Sequence, residues 1–322
     1  MATALITGGH AGIGLECARQ LASRWKYNLV LAGRNPDHME PVAEQLRKRY
    51  KVKVSTLKLD TSSLESVRNA ASHFRKLLDT GQVDTFQALL CNAGGRHDGA
   101  LTYSADGYET TFATNCLGHF LLVELLESRI AANGRILFTA SGTHDPDTPD
   151  GKMVGKVVEP NAVALANDGR NGGKALSGGV RYTTSKLCTV LYAYEIDRRL
   201  RRADSSVASI AFDPGSIPET GFLRGMPKPV QWLAKTALMK FVMKRVGITQ
   251  GSLGFSGASL ARLAADAAYA NASGKYFQSS AGRLIERHSS KMSYDEGRAG
   301  KLWNDSKQLV RLQPGEEAPK LR

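Results

Sequence analysis

Cysteine is scarce in this chain of 322 residues: only Cys17, Cys91, Cys116 and Cys188 occur. They lie far apart, show neither CxxC nor Cys/His ligand spacing, and each sits in an apolar stretch. A disulfide framework and a zinc site are therefore not expected, and reduced core thiols of a cytosolic protein are the reading. Equally lacking is any apolar run near the roughly 18 residues needed to span a bilayer. Ala2–Thr7 already reads as a strand entering a glycine-rich turn, which leaves no room for a sorting signal in these first residues. A plastid location stays open if a presequence precedes them. Proline is sparse too, eleven against thirty-two glycines, which suits many tight turns in a folded chain. No internal repeat and no low-complexity linker divides the sequence.

Acidic residues are outnumbered, 30 against 43 Lys and Arg, giving a net charge of +13. Such an excess suits nucleic acid, an anionic membrane or an anionic cofactor. Aromatic residues are not interleaved with the basic ones and zinc-finger spacing is missing, so nucleic acid is not an expected partner. The shortage of acid is local: residues 220–265 contain none, but hold Arg224, Lys228, Lys235, Lys240, Lys244, Arg245 and Arg262. Within them Val230, Leu233, Ala234, Ala237, Leu238, Phe241 and Val242 follow the i, i+3, i+4 rule of an amphipathic helix. A basic helix of that kind over 228–245 suits contact with anionic membrane, closure over a cleft, or docking on another subunit in a homo-oligomer.

What is present is an alternation. Thr3–Thr7, Asn28–Ala32, Val54–Lys58, Ala88–Cys91, Arg135–Thr139 and Val207–Phe212 are short apolar runs of the kind a parallel sheet buries on both faces. Gly274–Phe277 is a candidate seventh strand. Helical patterns lie between them at Gly14–Trp25, Leu64–Leu78, Tyr108–Ile130 and Tyr182–Arg202. The expectation is an α/β fold: one doubly wound Rossmann-type domain over 1–280 with a central parallel sheet of about seven strands. Residues 145–180, dense in Gly, Asn, Asp and Pro, read as a long cleft-side loop. Residues 216–270 read as a substrate-lid region and 281–322 as a charged, helical-looking C-terminal extension.

The first strand runs into Thr7-Gly8-Gly9-His10-Ala11-Gly12-Ile13-Gly14, a TGxxxGxG turn opening a helix. Glycines let backbone approach a pyrophosphate closely, and the helix N-terminus presents free N–H groups to it. Thr7, Gly8, Gly12, Ile13 and Gly14 are thus candidate cofactor residues. About 20 residues further, where an NAD site would hold an acid for the ribose 2′-hydroxyl, stands Arg34, which can pair with a 2′-phosphate; NADP(H) is expected. The alternative for Arg34 is a solvated surface arginine. Asp60, ending the third strand, suits the adenine amino group or a helix N-cap.

Tyr182 and Lys186 stand four apart at the start of an apolar helix, which places both on one face. A phenol is a poor acid–base group at neutral pH unless a nearby cation lowers its pKa, and Lys186 is that cation.

With these pieces the chain resembles the short-chain dehydrogenase/reductase family over about residues 2–280. The residues that carry the resemblance are the TGxxxGxG turn, Cys91-Asn92-Ala93-Gly94, Asn115, Ser141, Tyr182 with Lys186, and Asp213-Pro214-Gly215. The resemblance implies that Ser141 hydrogen-bonds the substrate oxygen, Tyr182 transfers the proton, and Lys186 tunes it and holds the nicotinamide ribose. It further implies that Asn115 holds a relay water, that Asn92, Ala93 and Gly94 support the cofactor wall, and that Pro214 and Gly215 touch the cofactor. Two departures stand out: Ser141 is followed by Gly142-Thr143-His144, and the stretch from Ser141 to Tyr182 is far longer than usual. His144 suits substrate contact or a loop-stabilising role. Within the family the chain looks most like the retinol dehydrogenase and protochlorophyllide oxidoreductase branch, through Ala105–Gly107 before Thr114–Leu122 and through Ser185–Cys188, with the long loop before Tyr182 and Thr220–Arg224 leaning to the protochlorophyllide side. That branch implies a bulky apolar substrate and, on the second side, light-driven reduction of a ring double bond. A non-catalytic NADP(H) sensor is the reading from another class, disfavoured because binding alone does not require Tyr182 and Lys186.

Overall fold

The computed structural model describes residues 1–170, 172–217, 236 and 245–322. Strands β1 (Thr3–Thr7), β2 (Asn28–Gly33), β3 (Val54–Lys58), β4 (Phe86–Cys91), β5 (Arg135–Thr139), β6 (Ala208–Asp213), β7 (Tyr276–Ser280) and β8 (Arg283–Arg287) form one sheet in the order β3-β2-β1-β4-β5-β6-β7-β8. All neighbours are parallel except the final β7–β8 hairpin. β1, β2, β5 and β6 are buried throughout, because helices cover both faces.

One face carries α1 (Gly12–Arg24), α2 (Pro36–Tyr50) and α9 (Leu253–Ala265), whose Cys17, Leu21, Leu46, Leu260 and Leu263 share a core with β1 and β2. The other carries α3 (Leu64–Asp79), α4 (Thr110–Phe112), α5 (Gly118–Leu126), α8 (Gly178–Arg202) and α10 (Glu296–Leu309) over Phe74, Phe120, Leu187, Tyr192 and Trp303. Between β5 and α8 lie α6 (Pro149–Val154) and α7 (Ala162–Ala166). Strand order reverses between β1 and β4, and at such a switch point the crevice beyond the strands' carboxyl ends is where ligands bind.

The structure departs from the sequence reading in several places: α2 was not among the helical patterns read, and α9, inside the stretch read as a substrate lid, packs instead in the core beside α1 and β1. The sheet has an eighth strand, β8, within the segment read as helical-looking; its Arg-Leu-Ile-Glu-Arg pattern is that of a charged edge strand, which needs no alternating apolar face. The stretch 145–180 holds two short helices, each N-capped by a polar side chain, Thr148 and Asn161. The single helix expected over Tyr108–Ile130 is broken. Glu109 caps α4 through bonds to the amides of Thr111 and Phe112, and residues Ala113–Leu117 form a π-turn before α5. Finally α8 begins at Gly178, four residues early, because Ser177 caps it. The amphipathic helix expected over 230–242, with Lys228, Lys235 and Lys244, falls outside the described residues except for Thr236.

Candidate active site

A cleft of about 640 Å³ opens at the switch point, between the glycine turn at one end and Tyr182 at the other. Thr7, Gly8, Gly12, Ile13, Arg34, Asp60, Asn92, Ala93, Gly94, Ser141, Tyr182, Lys186, Pro214 and Gly215 all line it. Gly14 and Asn115 do not; they stand behind its wall.

The turn is built for close approach. Gly12 has φ +55° with no atom within 4 Å of where a Cβ would lie, so its backbone faces open space. At Gly14 a Cβ would fall 2.4 Å from the Gly8 carbonyl oxygen, which makes this glycine a packing requirement of the turn. Thr7, fully buried at the end of β1, accepts on Oγ1 from the amides of Asn92 (2.9 Å) and Ala93 (2.8 Å), and the Asn92 Nδ2 donates to the Thr7 carbonyl (2.9 Å). The ends of β1 and β4 are thereby locked together. Such an open glycine cradle at the N-terminus of a 13-residue helix fits a dinucleotide's phosphates. Arg34 stands exposed at the rim beside His10, whose pKa is lowered by burial and by nearby His38 and Arg34. Asp60 bonds the amide and hydroxyl of Ser62 at 2.9 and 2.7 Å, while the N-cap of α3 is Ser63, so Asp60 is not the cap.

At the other end, α8 delivers Tyr182 and Lys186 and the turn after β5 delivers Ser141. Tyr182 hydrogen-bonds Ser141. Ser141 Oγ also accepts from the Thr143 hydroxyl at 3.1 Å. The Lys186 ammonium donates to the Thr139 carbonyl at 2.7 Å and stands 5.7 Å from the Tyr182 ring centre. Burial pushes the Tyr182 phenol up to about 12, and Asp213 adds to the rise while the Ser141 bond and the Arg96 cation oppose it. Burial likewise pulls Lys186 down to about 8. Asp213 is held by Tyr276 OH (3.1 Å), Gln278 Nε2 (2.8 Å) and the Gly215 amide (2.9 Å). Asp150, from α6, faces the same cleft, and burial raises its pKa.

Asn115 sits in the π-turn, 3% exposed. Its Nδ2 donates to the Gly95 carbonyl (3.0 Å) and Ser185 Oγ (2.9 Å), and its Oδ1 accepts from the Gly95 amide (3.0 Å). The side chain thus staples the segment after β4 to α8. Its carbonyl lies 3.3 Å from His119 Nδ1, and His119 Nε2 lies 3.0 Å from Thr7 Oγ1. Burial lowers His119 to about 4, so a neutral ring joins the glycine turn to the π-turn. His144 does not line the cleft; it is buried behind Ser141, which decides between the two roles open to it in favour of the loop.

Sequence reasoning missed Thr139, His119 and Asp150. His10 was visible, inside the turn motif itself. Thr139 works through its carbonyl, which no side-chain pattern reports, and Asp150 comes from a stretch that resembled irregular loop. Among the described residues there is no cluster of His, Cys, Asp and Glu suited to a metal ion, and no helix long and apolar enough to cross a membrane.

Comparison with known proteins agrees with this geometry. The sequence model described as short chain dehydrogenase matches residues 2–149. The chloroplastic protochlorophyllide reductase of Chlamydomonas reinhardtii is 32% identical, over 96% of this chain and 78% of the relative. The WW domain-containing oxidoreductase of Gallus gallus is 29% identical, over 98% of this chain and 69% of the relative. Among solved structures, a short chain dehydrogenase from Burkholderia cenocepacia J2315 in complex with NADP superimposes with a TM-score of 0.62 at 19% identity, covering 86% of this chain and 95% of that one. Fold, site and relatives converge: the chain belongs to the short-chain dehydrogenase family of oxidoreductases.

Proposed function

We propose that the protein is an NADP(H)-dependent reductase or dehydrogenase acting on a bulky apolar carbonyl or alcohol, with Tyr182 as general acid and base. The observation that carries this reading is the convergence of Ser141, Tyr182 and Lys186 at one end of a cleft whose other end is the glycine turn and Arg34.

The bound dinucleotide supplies or accepts the hydride. Thr7, Gly8, Gly12, Ile13 and the α1 N-terminus would hold its phosphates, with Gly14 permitting the turn from behind. Arg34, with His10 beside it, would take a 2′-phosphate, and Asp60 would face the adenine. Asn92, Ala93, Gly94, Pro214 and Gly215 would wall the nicotinamide half, with Lys186 on its ribose. Ser141 orients the substrate oxygen. Tyr182, kept neutral by its burial, has a proton to give to an alkoxide forming there; in the reverse direction, the Lys186 ammonium favours the phenolate that removes one. Asn115 acts here by holding Gly95 and Ser185 in place, with the water relay as its further role. Met153, Val154 and Ile217 give the substrate half an apolar border, which suits a bulky apolar ligand.

A second reading is a light-dependent reductase of a ring double bond, like the protochlorophyllide reductases; the 32% identity to the Chlamydomonas enzyme supports it. On that reading Tyr182 protonates carbon.

The test is NADPH consumption against hydrophobic aldehydes, ketones and quinones, and against protochlorophyllide in darkness and light. Ser141→Ala and Tyr182→Phe are expected to lower turnover by about 10²–10⁴-fold, the contribution of a positioned proton-transfer group. Arg34→Ala should raise the KM for NADPH and leave that for NADH unchanged. Turnover surviving Tyr182→Phe would refute the acid–base assignment; an unchanged cofactor preference would remove Arg34 from the site.

A further inference from the structure

His144 ends the 3-10 turn Gly142–His144 that leaves Ser141, and its ring is turned inward, 1% exposed. Nδ1 lies 2.7 Å from the Ser141 carbonyl oxygen, and the Ser290 amide lies 3.1 Å from Nε2. A carbonyl can only accept and an amide N–H can only donate. Nδ1 therefore carries the hydrogen and Nε2 the lone pair, and neither role can be exchanged. The Tyr276 ring packs beside the imidazole, 5.1 Å between centres.

Ser290 belongs to a turn that is itself tied to α8. The Ser289 hydroxyl bonds Tyr194 OH at 2.7 Å and Ser293 Oγ at 2.6 Å, and Ser293 Oγ donates to the Ser290 carbonyl at 2.6 Å. Tyr194 lies on the helix that carries Tyr182 and Lys186. A continuous path thus runs from the main chain of Ser141 through His144, Ser290 and Ser289 to α8, on the side away from the cleft.

We propose that His144 is a positioning residue: it braces the main chain of Ser141 against the 289–294 turn and so fixes the serine hydroxyl relative to Tyr182. The proposal rests on the reading of Ser141 as the group that orients the substrate oxygen. A protonated ring would set Nε2–H against the Ser290 N–H, donor to donor, so the brace holds only while the imidazole is neutral. Burial favours that form, against the hydrogen bond to Ser141 and the carboxylates of Asp213 and Asp145. Other titratable groups on the elements around it include Asp150 on α6, Tyr276 on β7, Tyr182, Lys186 and Tyr194 on α8, and Lys291 and Tyr294 in the turn.

Three variants test it, each with the full chain. His144→Leu removes both bonds. His144→Gln offers an amide donor and acceptor at the spacing of the ring nitrogens and cannot be protonated. Ser290→Pro deletes the N–H together with a buried hydroxyl that makes no hydrogen bond, and the φ of −60° at Ser290 suits proline. With an accepted carbonyl, His144→Leu is expected to lower kcat by about 10²-fold, the scale of a misplaced reacting group. NADPH affinity, read by fluorescence, should stay unchanged, because the brace lies at the serine end of the cleft. His144→Gln should recover most of the lost kcat, and Ser290→Pro should lower kcat in the same direction as His144→Leu. In the wild type, ¹⁵N NMR of labelled imidazoles should show Nδ1 protonated and Nε2 bare, below the pH at which free imidazole titrates. A folded His144→Leu or Ser290→Pro variant with wild-type kcat would overturn the proposal, as would an Nε2–H tautomer. If Ser141→Ala is inactive and His144→Leu is not impaired, the brace alone fails; if Ser141→Ala keeps full turnover, both readings fail.

Discussion

Lys186 shows how a residue's environment sets its chemistry. An exposed lysine keeps its charge past pH 10, whereas burial brings this one to about 8, with the Thr139 carbonyl as its hydrogen-bond acceptor. The charged form is present below that pH and lost above it. The expected outcome is that kcat/KM of the free enzyme for a carbonyl substrate falls as pH rises through about 8. A profile flat to pH 10 would contradict it. Gly14 gives a second test at this scale. A Cβ there would meet the Gly8 carbonyl at 2.4 Å and Asn92 Nδ2 at 2.8 Å, with Gly8 held through its amide by the Ala32 carbonyl and Asn92 by the Thr7 carbonyl. Gly14→Ala should cost about 1–3 kcal/mol of stability, the usual scale of overpacking. It should also weaken NADPH binding; urea denaturation and a fluorescence titration check the two effects. These motif residues were legible because their chemistry demands particular types at particular spacings. Thr139 was not, since its contribution is a backbone oxygen placed by β5.

Among the elements, the strands of the parallel sheet were readable, the half-exposed β3 included. β1, β3 and β5 fall where their apolar runs predict, while β2, β4 and β6 differ by a residue or two at their ends. β8 escaped because its Arg-Leu-Ile-Glu-Arg run holds only two apolar residues, adjacent to each other and flanked by charge, so no strand period shows. α6 and α7 escaped because helices of six and five residues make too few turns to show a period. The π-turn at Ala113–Leu117 lies inside a stretch whose residues suit continuous helix; the bonds of Asn115 to Gly95 and Ser185, which no local pattern encodes, accompany the break. α10 was foreseen only as a vague helical tail, yet it supplies Trp303. This side chain is fully buried, edge-on to Phe120 at 4.8 Å and beneath the Arg199 guanidinium at 4.6 Å. Trp303→Ala should cost about 3–5 kcal/mol, the range for emptying a buried aromatic site. A loss below 1 kcal/mol in chemical denaturation would show that α10 is not part of the cooperative core.

For the molecule as a whole, the end of the chain is bound back to the middle. The Ala318 amide donates to the Glu124 carboxyl at 2.9 Å, Arg199 donates to the Leu321 carbonyl at 2.9 Å, and Arg68 pairs with Glu316 at 2.8 Å. Burial raises Glu124 to about 7, so the folded protein favours its neutral form. Its contribution to stability is therefore greatest below the ordinary glutamate pKa and is lost as pH rises through about 7. That window corresponds to at most about 3 kcal/mol. Glu124→Gln should flatten this part of the stability–pH curve in denaturation series; an unchanged curve would exclude Glu124 as its source. The basic segment 228–245 belongs to this scale as well. Co-sedimentation with anionic and neutral liposomes tests it, and binding without dependence on anionic lipid would dismiss an electrostatic membrane contact. The tie between His144 and Ser290 has a further consequence, in the order of synthesis. Ser141, Tyr182 and Lys186 are all made well before residues 289–321, yet the serine's support and the cover over α8 come from those later residues. The main chain at Ser141 and the helix α8 thus keep contacts that form only after residues 289–294 have been made, so this part of the fold is completed by long-range contacts.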